Sequence, residues 1–204
     1  MLIPVALFLD ALLGDPKRVP HPVAGVGAII RFWEERFYPR GDKKRWGIVF
    51  CAAVLATTGA AAGLILLCAS FDVRLLRAVE LYLLYAPLAW RSLKDESLPV
   101  AAALYGGDVA AARLALSRIV GRDTQNLDEA GILRATLETI GESFIDGVFS
   151  VLFFMALGYA CGGAAGAVLT SWLFRAANTL DSMVGYDDDR YRDFGRAAAR
   201  LDDA

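Results

Sequence analysis

Three groups of polar side chains in this chain have the types and spacing that chemistry needs, and each abuts an apolar segment. The first runs from Asp10 to Pro22, with L-G-D-P at 13–16 and P-H-P at 20–22. Asp15 and His21, the only histidine, flank prolines whose locked backbone would hold them in place. Asp10 interrupts a short apolar stretch, and an ionisable residue in such a setting is a functional candidate by default. The plain alternative is a surface loop whose prolines only stop a helix. The second group is Glu138, Glu142 and Asp146, which share one helical face opposite Leu133, Leu137, Ile140 and Phe144. A solvated face is the ordinary explanation. Against it, like charges at i, i+4 repel by a few tenths of a kcal/mol per pair, and acids late in a helix oppose its dipole. A Mg²⁺ held by one or two carboxylates together with substrate phosphates would relieve both. The third group is N-T-L-D-S-M-V-G-Y-D-D-D-R-Y-R at 178–192. Asn178 and Asp181 are i, i+3 neighbours, Arg175 is close enough to join them, and Gly185 would end their helix. Arg190, Arg192 and Arg196 offer anion-binding positions beyond it, while Asp187–Asp189 read as solvated. A polar helix end with surface charges is the competing description.

The elements that position these groups are helical and membrane-like. The 204 residues are 56% hydrophobic, above the usual share for a soluble domain, and mean hydropathy is +0.44. Gly47–Ser70 holds 24 residues without a charge and Val148–Phe174 holds 27, each longer than the roughly 20 that a bilayer core requires. A weaker segment is expected at Val79–Trp90, and a short amphipathic helix at Ile29–Tyr38. Asp108 caps a helix expected to reach about Val120, and Asp128 caps another whose apolar face is Ile132, Leu133, Leu137, Ile140 and Phe144. No run reads as a strand. The expected class is therefore all-α, a polytopic helical membrane protein with a cytoplasmic helical segment. It forms one embedded domain, 1–204: an N-terminal loop and helix (1–46), a transmembrane pair (47–90), cytoplasmic helices (91–147), and a Gly-broken membrane segment with a polar C-terminal motif (148–204).

Eight Lys and Arg lie in 15–46 against two in 71–78, so the positive-inside rule puts 15–46 in the cytoplasm and 71–78 outside. Gly158, Gly162, Gly163 and Gly166 interrupt the second long run. The sequence leaves open whether it crosses once or turns back, which requires protein to bury the break. The G-G-A-A-G at 162–166 reads as small-residue helix packing. A net charge of −2 argues against nucleic acid as a partner. Cys51, Cys68 and Cys161 form no C-x-x-C pair and lie in the apolar runs, so neither a zinc site nor a disulfide framework is expected. No basic region precedes the N-terminal apolar stretch, which argues against a cleaved signal peptide. The common phosphate loops and nucleophile elbows are absent, so any nucleotide binds by another design.

Read together and in order, these strings resemble the adenosylcobinamide-phosphate synthase family. The matching pieces are D-A-L-L-G-D-P at 10–16, P-H-P-V at 20–23, G-R-D-T at 121–124 and E-T-I-G-E-S-F-I-D-G-V at 138–148. N-T-L-D-S-M-V-G-Y at 178–186, R-Y at 190–191, F-G at 194–195 and A-R-L-D-D at 199–203 complete the match. The resemblance implies a multi-pass protein of the cytoplasmic membrane that joins adenosylcobyric acid to aminopropanol O-phosphate as an amide. Mg²⁺ and ATP as co-substrate are expected, as are membrane lipid and other cobalamin-pathway enzymes as partners. A carboxylate must be activated before an amine attacks it, and the amine must lose a proton. Glu138, Glu142, Asp146, Asp181 and Asn178 are the catalytic candidates, the first three also as Mg²⁺ ligands. Asp15, His21, Arg122, Asp123, Ser182 and Arg190 are the substrate-binding candidates. The chain departs from the family pattern at Ser143, Phe144 and Asp187, and family members continue beyond A-R-L-D-D. A reading from another class is a corrinoid-binding membrane subunit without catalysis, or a small carrier, for which two or three spans are few.

Overall fold

A computed structural model of the chain describes residues 2–15 and 21–203. Pro16, Lys17, Arg18 and Pro20, used above as helix stops and positive charge, lie outside the described residues. The all-α expectation holds, with no strand among the described residues. Helix α1 is Leu2–Leu13. Helix α2 is Pro22–Phe37, two turns longer at its start than the expected Ile29–Tyr38. Its Pro22 needs no hydrogen-bond partner in the first turn, and the His21 ring accepts the Val23 N–H as its cap. Asp42 caps α3, Lys43–Ala69, and Asp72 caps α4, Val73–Tyr85, by accepting N–H bonds from the first turns. The expected single segment Val79–Trp90 is corrected. Helix α4 stops at Tyr85, because Pro87 disfavours helix before it, and Trp90 opens α5, Trp90–Tyr105.

Helix α6, Val109–Leu116, has the predicted Asp108 cap but ends one turn before Val120. Helix α7, Glu129–Phe144, has the predicted Asp128 cap. Its buried face differs from the one expected. Ile132, Ala135 and Thr136 are covered by α5 and α6, whereas Leu133 and Leu137 are 52% and 60% exposed. Small residues in this contact, Ala112 of α6 and Ala135 of α7, let the helices approach closely. Val100, Ala112, Leu116, Ile132 and Ala135 make a small core of their own. The main core lies elsewhere, where α2, α3, α4 and the last long helix bury Ile30, Phe50, Val54, Leu84, Met155 and Leu180.

Helix α7 runs through one π-helical turn, Ile145–Phe149, into α8, Ser150–Val184. Among the described residues two helices are long and apolar enough to cross a membrane, Lys43–Ala69 and the continuous Glu129–Val184. The second folds back on itself. Gly162 and Gly163 leave the helical region, and Gly163 (φ 62°, ψ −148°) adopts a conformation open essentially only to glycine. The glycine-rich stretch is therefore a chain reversal, not only a packing stripe. Gly158 and Gly166 meet backbone to backbone across the reversal, so closely that a Cβ on either would overlap the other's carbonyl. The Thr170 hydroxyl donates to the Phe154 carbonyl at 2.5 Å, and Phe154 stacks on Phe174 at 4.9 Å. The apolar part of the first arm, Val148–Cys161, is about 21 Å long and that of the second, Ala164–Phe174, about 16 Å. Neither reaches the roughly 30 Å of a bilayer core. The reversal lays the second arm back along the first. Gly185 ends α8 as expected, and α9, Arg196–Asp202, packs against α3 and α8.

Candidate functional site

The reversal places the π turn beside the polar end of the second arm. Between them lies a cavity of about 330 Å³ whose lining includes Ser92, Glu96, Glu142, Asp146, Arg175 and Asn178. Three parts of the chain distant in sequence supply these side chains. The π turn carries Asp146, and such insertions recur at functional sites because they re-aim side chains out of α-helical register. The start of α5 supplies Ser92 and Glu96, and it is held by a borrowed cap. Its own N-cap residue, Ala89, has no side chain to offer. Asp10 of α1 substitutes for it, its Oδ2 accepting the N–H groups of Trp90 (2.8 Å) and Arg91 (3.4 Å). Asp10 is fully buried, and its Oδ1 has no partner among the described residues. The Ala89 N–H donates to the Gly147 carbonyl at 3.1 Å, tying α5 to the π turn.

The N-terminal motif reaches the cavity through Ser92. The Ser92 hydroxyl donates to Asp15 Oδ2 at 2.7 Å, and His21 Nε2 lies 3.1 Å from Asp15 Oδ1. His21 Nδ1 accepts the Val23 N–H, whereas Nε2 is buried beside Asp15 without a hydrogen-bond partner among the described residues. The hydrogen bond that holds Asp15 comes from Ser92, with the His21 ring packed beside it.

Arg175 is the only cation lining the cavity among the described residues. Its Nη2 donates to the Pro87 carbonyl, its Nη1 lies 3.5 Å from Asn178 Oδ1, and its Nε is buried with no partner among the described residues. Asn178 extends 3.5 Å to Asp202. Burial pushes the Asp202 carboxyl above the usual carboxylate range, and the nearby charges of Asp181 and Asp146 push it further. One guanidinium facing several carboxylates suits a ligand that carries both an anionic group and an amine.

Of the sequence candidates, Glu142, Asp146 and Asn178 line the cavity, Asp181 adjoins it, and Asp15 and His21 join it through Ser92. Five do not reach it. Glu138 is exposed and paired with Arg122 at 2.6 Å. Asp123 accepts the Gln125 N–H in the loop before α7, and the Ser182 hydroxyl donates to the Asn178 carbonyl. Arg190 donates to Glu34 at 2.8 Å, as the Tyr191 hydroxyl does at 2.7 Å. This tie fastens the C-terminal loop to α2. Burial and the Glu34 carboxylate push the Tyr191 phenol up to about 12.

The expected ligand set Glu138, Glu142 and Asp146 climbs one helix over about 12 Å, with Glu138 paired to Arg122 outside the cavity. Among the described residues no three His, Cys, Asp or Glu are grouped to hold a metal. Two carboxylates on one cavity, Glu142 and Asp146, still fit a Mg²⁺ that arrives with substrate phosphates. Sequence reasoning missed Ser92 and Glu96 and gave Arg175 only a supporting place. The available signal was R-S-L-K-D-E at 91–96, a polar run following the break at Pro87.

Comparison with known proteins points to one family. A family model described as CobD/Cbib protein matches residues 3–204. Cobalamin biosynthesis protein CobD of Desulfotalea psychrophila is 40% identical over 98% of this chain and 63% of its own length. The protein of the same name from Halalkalibacterium halodurans is 42% identical over 97% of this chain and 60% of its own. Cobalamin biosynthesis protein CbiB of Salmonella typhimurium is 40% identical over 98% and 61%. The chain thus spans about three-fifths of the length of these relatives. No solved structure matches it. With a family model covering nearly every residue and relatives about 40% identical over nearly the whole chain, the chain belongs to the CobD/CbiB family.

Proposed function

We propose that this chain acts in cobalamin biosynthesis, in the amide-forming step that joins adenosylcobyric acid to (R)-1-amino-2-propanol O-2-phosphate. The observation that carries the reading is the polar cavity where residues of three family strings meet around Arg175. At about 330 Å³ it is at the small end of ligand cavities, roughly 300–1,000 Å³. That size suits the aminopropanol phosphate rather than the corrinoid, whose side-chain carboxylate would approach the open mouth. In this reading Arg175 binds the phosphate, Glu96 and Glu142 hold the ammonium, and Asp146 takes the proton that the amine loses before attack. Mg²⁺, carried on phosphates to Glu142 and Asp146, would neutralise phosphate charge. ATP serves as co-substrate that activates the carboxylate.

The same reading puts the chain in the cytoplasmic membrane as a multi-pass protein. Helix α3 crosses, α4 runs back beside it for about 20 Å, and the α8 hairpin enters and leaves by one face, with lipid and other enzymes of the pathway as partners and no nucleic acid. The test is incubation of purified chain with adenosylcobyric acid, aminopropanol phosphate, Mg²⁺ and ATP. Amide product is expected, with a loss of about 100-fold in Arg175→Met and smaller losses in Glu142→Gln and Asp146→Asn. Corrinoid binding without amide formation would instead support a non-catalytic corrinoid-binding subunit or carrier.

A further inference from the structure

A second charged region lies away from that cavity, where α3 leaves its basic N-terminal segment. A groove of about 390 Å³ is lined by Lys44 and Ile48 of α3, Asp193, and Arg196, Ala197 and Arg200 of α9. Asp193 is the only acid on this wall and lies 3.5 Å from Lys44, with both side chains more than half exposed. Arg196 and Arg200 are exposed and have no carboxylate partner among the described residues. They stand at i, i+4 on one face, a like-charge pair that costs helix stability unless an anion lies between them. The groove does not stop at the charges. Ile48 is 63% exposed, and at 100° per residue Lys44, Ile48, Leu55 and Gly59 fall within one narrow stripe of α3. Further along that stripe a second groove, about 530 Å³, runs between Leu55 and Gly59 of α3, Phe154 and Leu173 of the hairpin, and Leu201 of α9. A cationic cradle therefore stands in line with an apolar channel, on a helix long and apolar enough to span a bilayer.

We propose that this face binds one anionic glycerophospholipid, its headgroup phosphate between Lys44, Arg196 and Arg200 and an acyl chain along Leu55 and Gly59. The chemistry is that of basic pockets beside membrane helices on the cytoplasmic side. Charge selects the anionic headgroup, and the apolar continuation selects a lipid over a free phosphate. The site shares no residue with the polar cavity and does not depend on the reaction assigned there.

The experiment measures lipid retained by the purified chain, using native mass spectrometry after exchange into nanodiscs of phosphatidylglycerol or phosphatidylcholine. Phosphatidylglycerol is expected to stay bound and phosphatidylcholine to leave. Each of Arg196→Gln and Arg200→Gln should weaken retention about fivefold, and the pair about 25-fold, with affinity falling as salt rises. The pair Arg196→Lys and Arg200→Lys keeps the charge and should retain lipid, which separates lost charge from lost folding. Arg118→Gln, exposed on another element, should change nothing. Equal retention of the two lipids, or unchanged retention in the double Gln variant, overturns the proposal. Displacement of phosphatidylglycerol by millimolar inorganic phosphate or aminopropanol phosphate also overturns it, because the site would then be one for free phosphate.

Discussion

Replacing Gly158 by Ala tests the reversal on which the site depends. The added methyl would occupy the space of the Gly166 carbonyl and the Thr170 hydroxyl, so the arms must part by about an ångström to restore van der Waals contact. Overpacking of this kind costs about 1–3 kcal/mol. For a chain of this size about 2 kcal/mol corresponds to a fall in Tm of about 4–8 °C. Parting the arms also moves the π turn, with Asp146, away from Arg175 and Asn178, and an ångström of misplacement costs a reaction about 100-fold. The assay is thermal unfolding of the purified chain, paired with ligand binding or turnover at the cavity. Gly59→Ala is the control, because its new methyl meets only the Leu173 side chain at an ordinary 3.4 Å. If Gly158→Ala and Gly59→Ala shift Tm equally, or if Gly158→Ala keeps full function, the hairpin reasoning is wrong.

Asp10→Ala removes the borrowed cap of α5 and should cost about 1–2 kcal/mol, with faster hydrogen exchange at the Trp90 and Arg91 amides; Asp10→Asn, which keeps an acceptor oxygen, should lose less. The Tyr191 phenol sits above its ordinary value of 10 when folded, so folding favours its neutral form. That stabilisation is complete below about pH 10 and is lost as pH rises through about 12, and Tyr191→Phe should abolish this part of the alkaline unfolding profile. Arg122→Ala breaks an exposed pair outside the cavity, so it should change stability by less than about 1 kcal/mol and leave function intact. A loss comparable to that of Glu142→Gln would return Glu138 and Arg122 to the site.

Helical class, caps and apolar segments were legible in the sequence because they are local. Asp108 and Asp128, read as caps from the sequence, each cap the helix that follows them, a bond made within three residues. Two unbroken apolar runs announced the main core for the same reason. Family membership was legible too, since ordered strings such as N-T-L-D-S-M-V-G-Y do not depend on how the chain folds. What periodicity could not tell was which face of α7 would be covered. Ile132 and Leu133 are equally apolar, and the fit of α5 and α6 decided between them.

The site itself depended on tertiary structure. The glycines at 158–166 were visible as a break, but whether a break becomes a span or a reversal depends on the close approach of Gly158 and Gly166. That approach sets Asp146 beside Arg175, and the borrowed cap from Asp10 brings Ser92 and Glu96 to meet them. Arg190 shows the converse: a motif arginine is taken up by Glu34, a partner 156 residues away in sequence. By itself the sequence determined the helical class, the starts of α6 and α7, the two long apolar runs and the family. Only the folded chain decided which polar residues share a cavity, because that pairing is made by contacts between segments far apart in sequence, where no local pattern reaches.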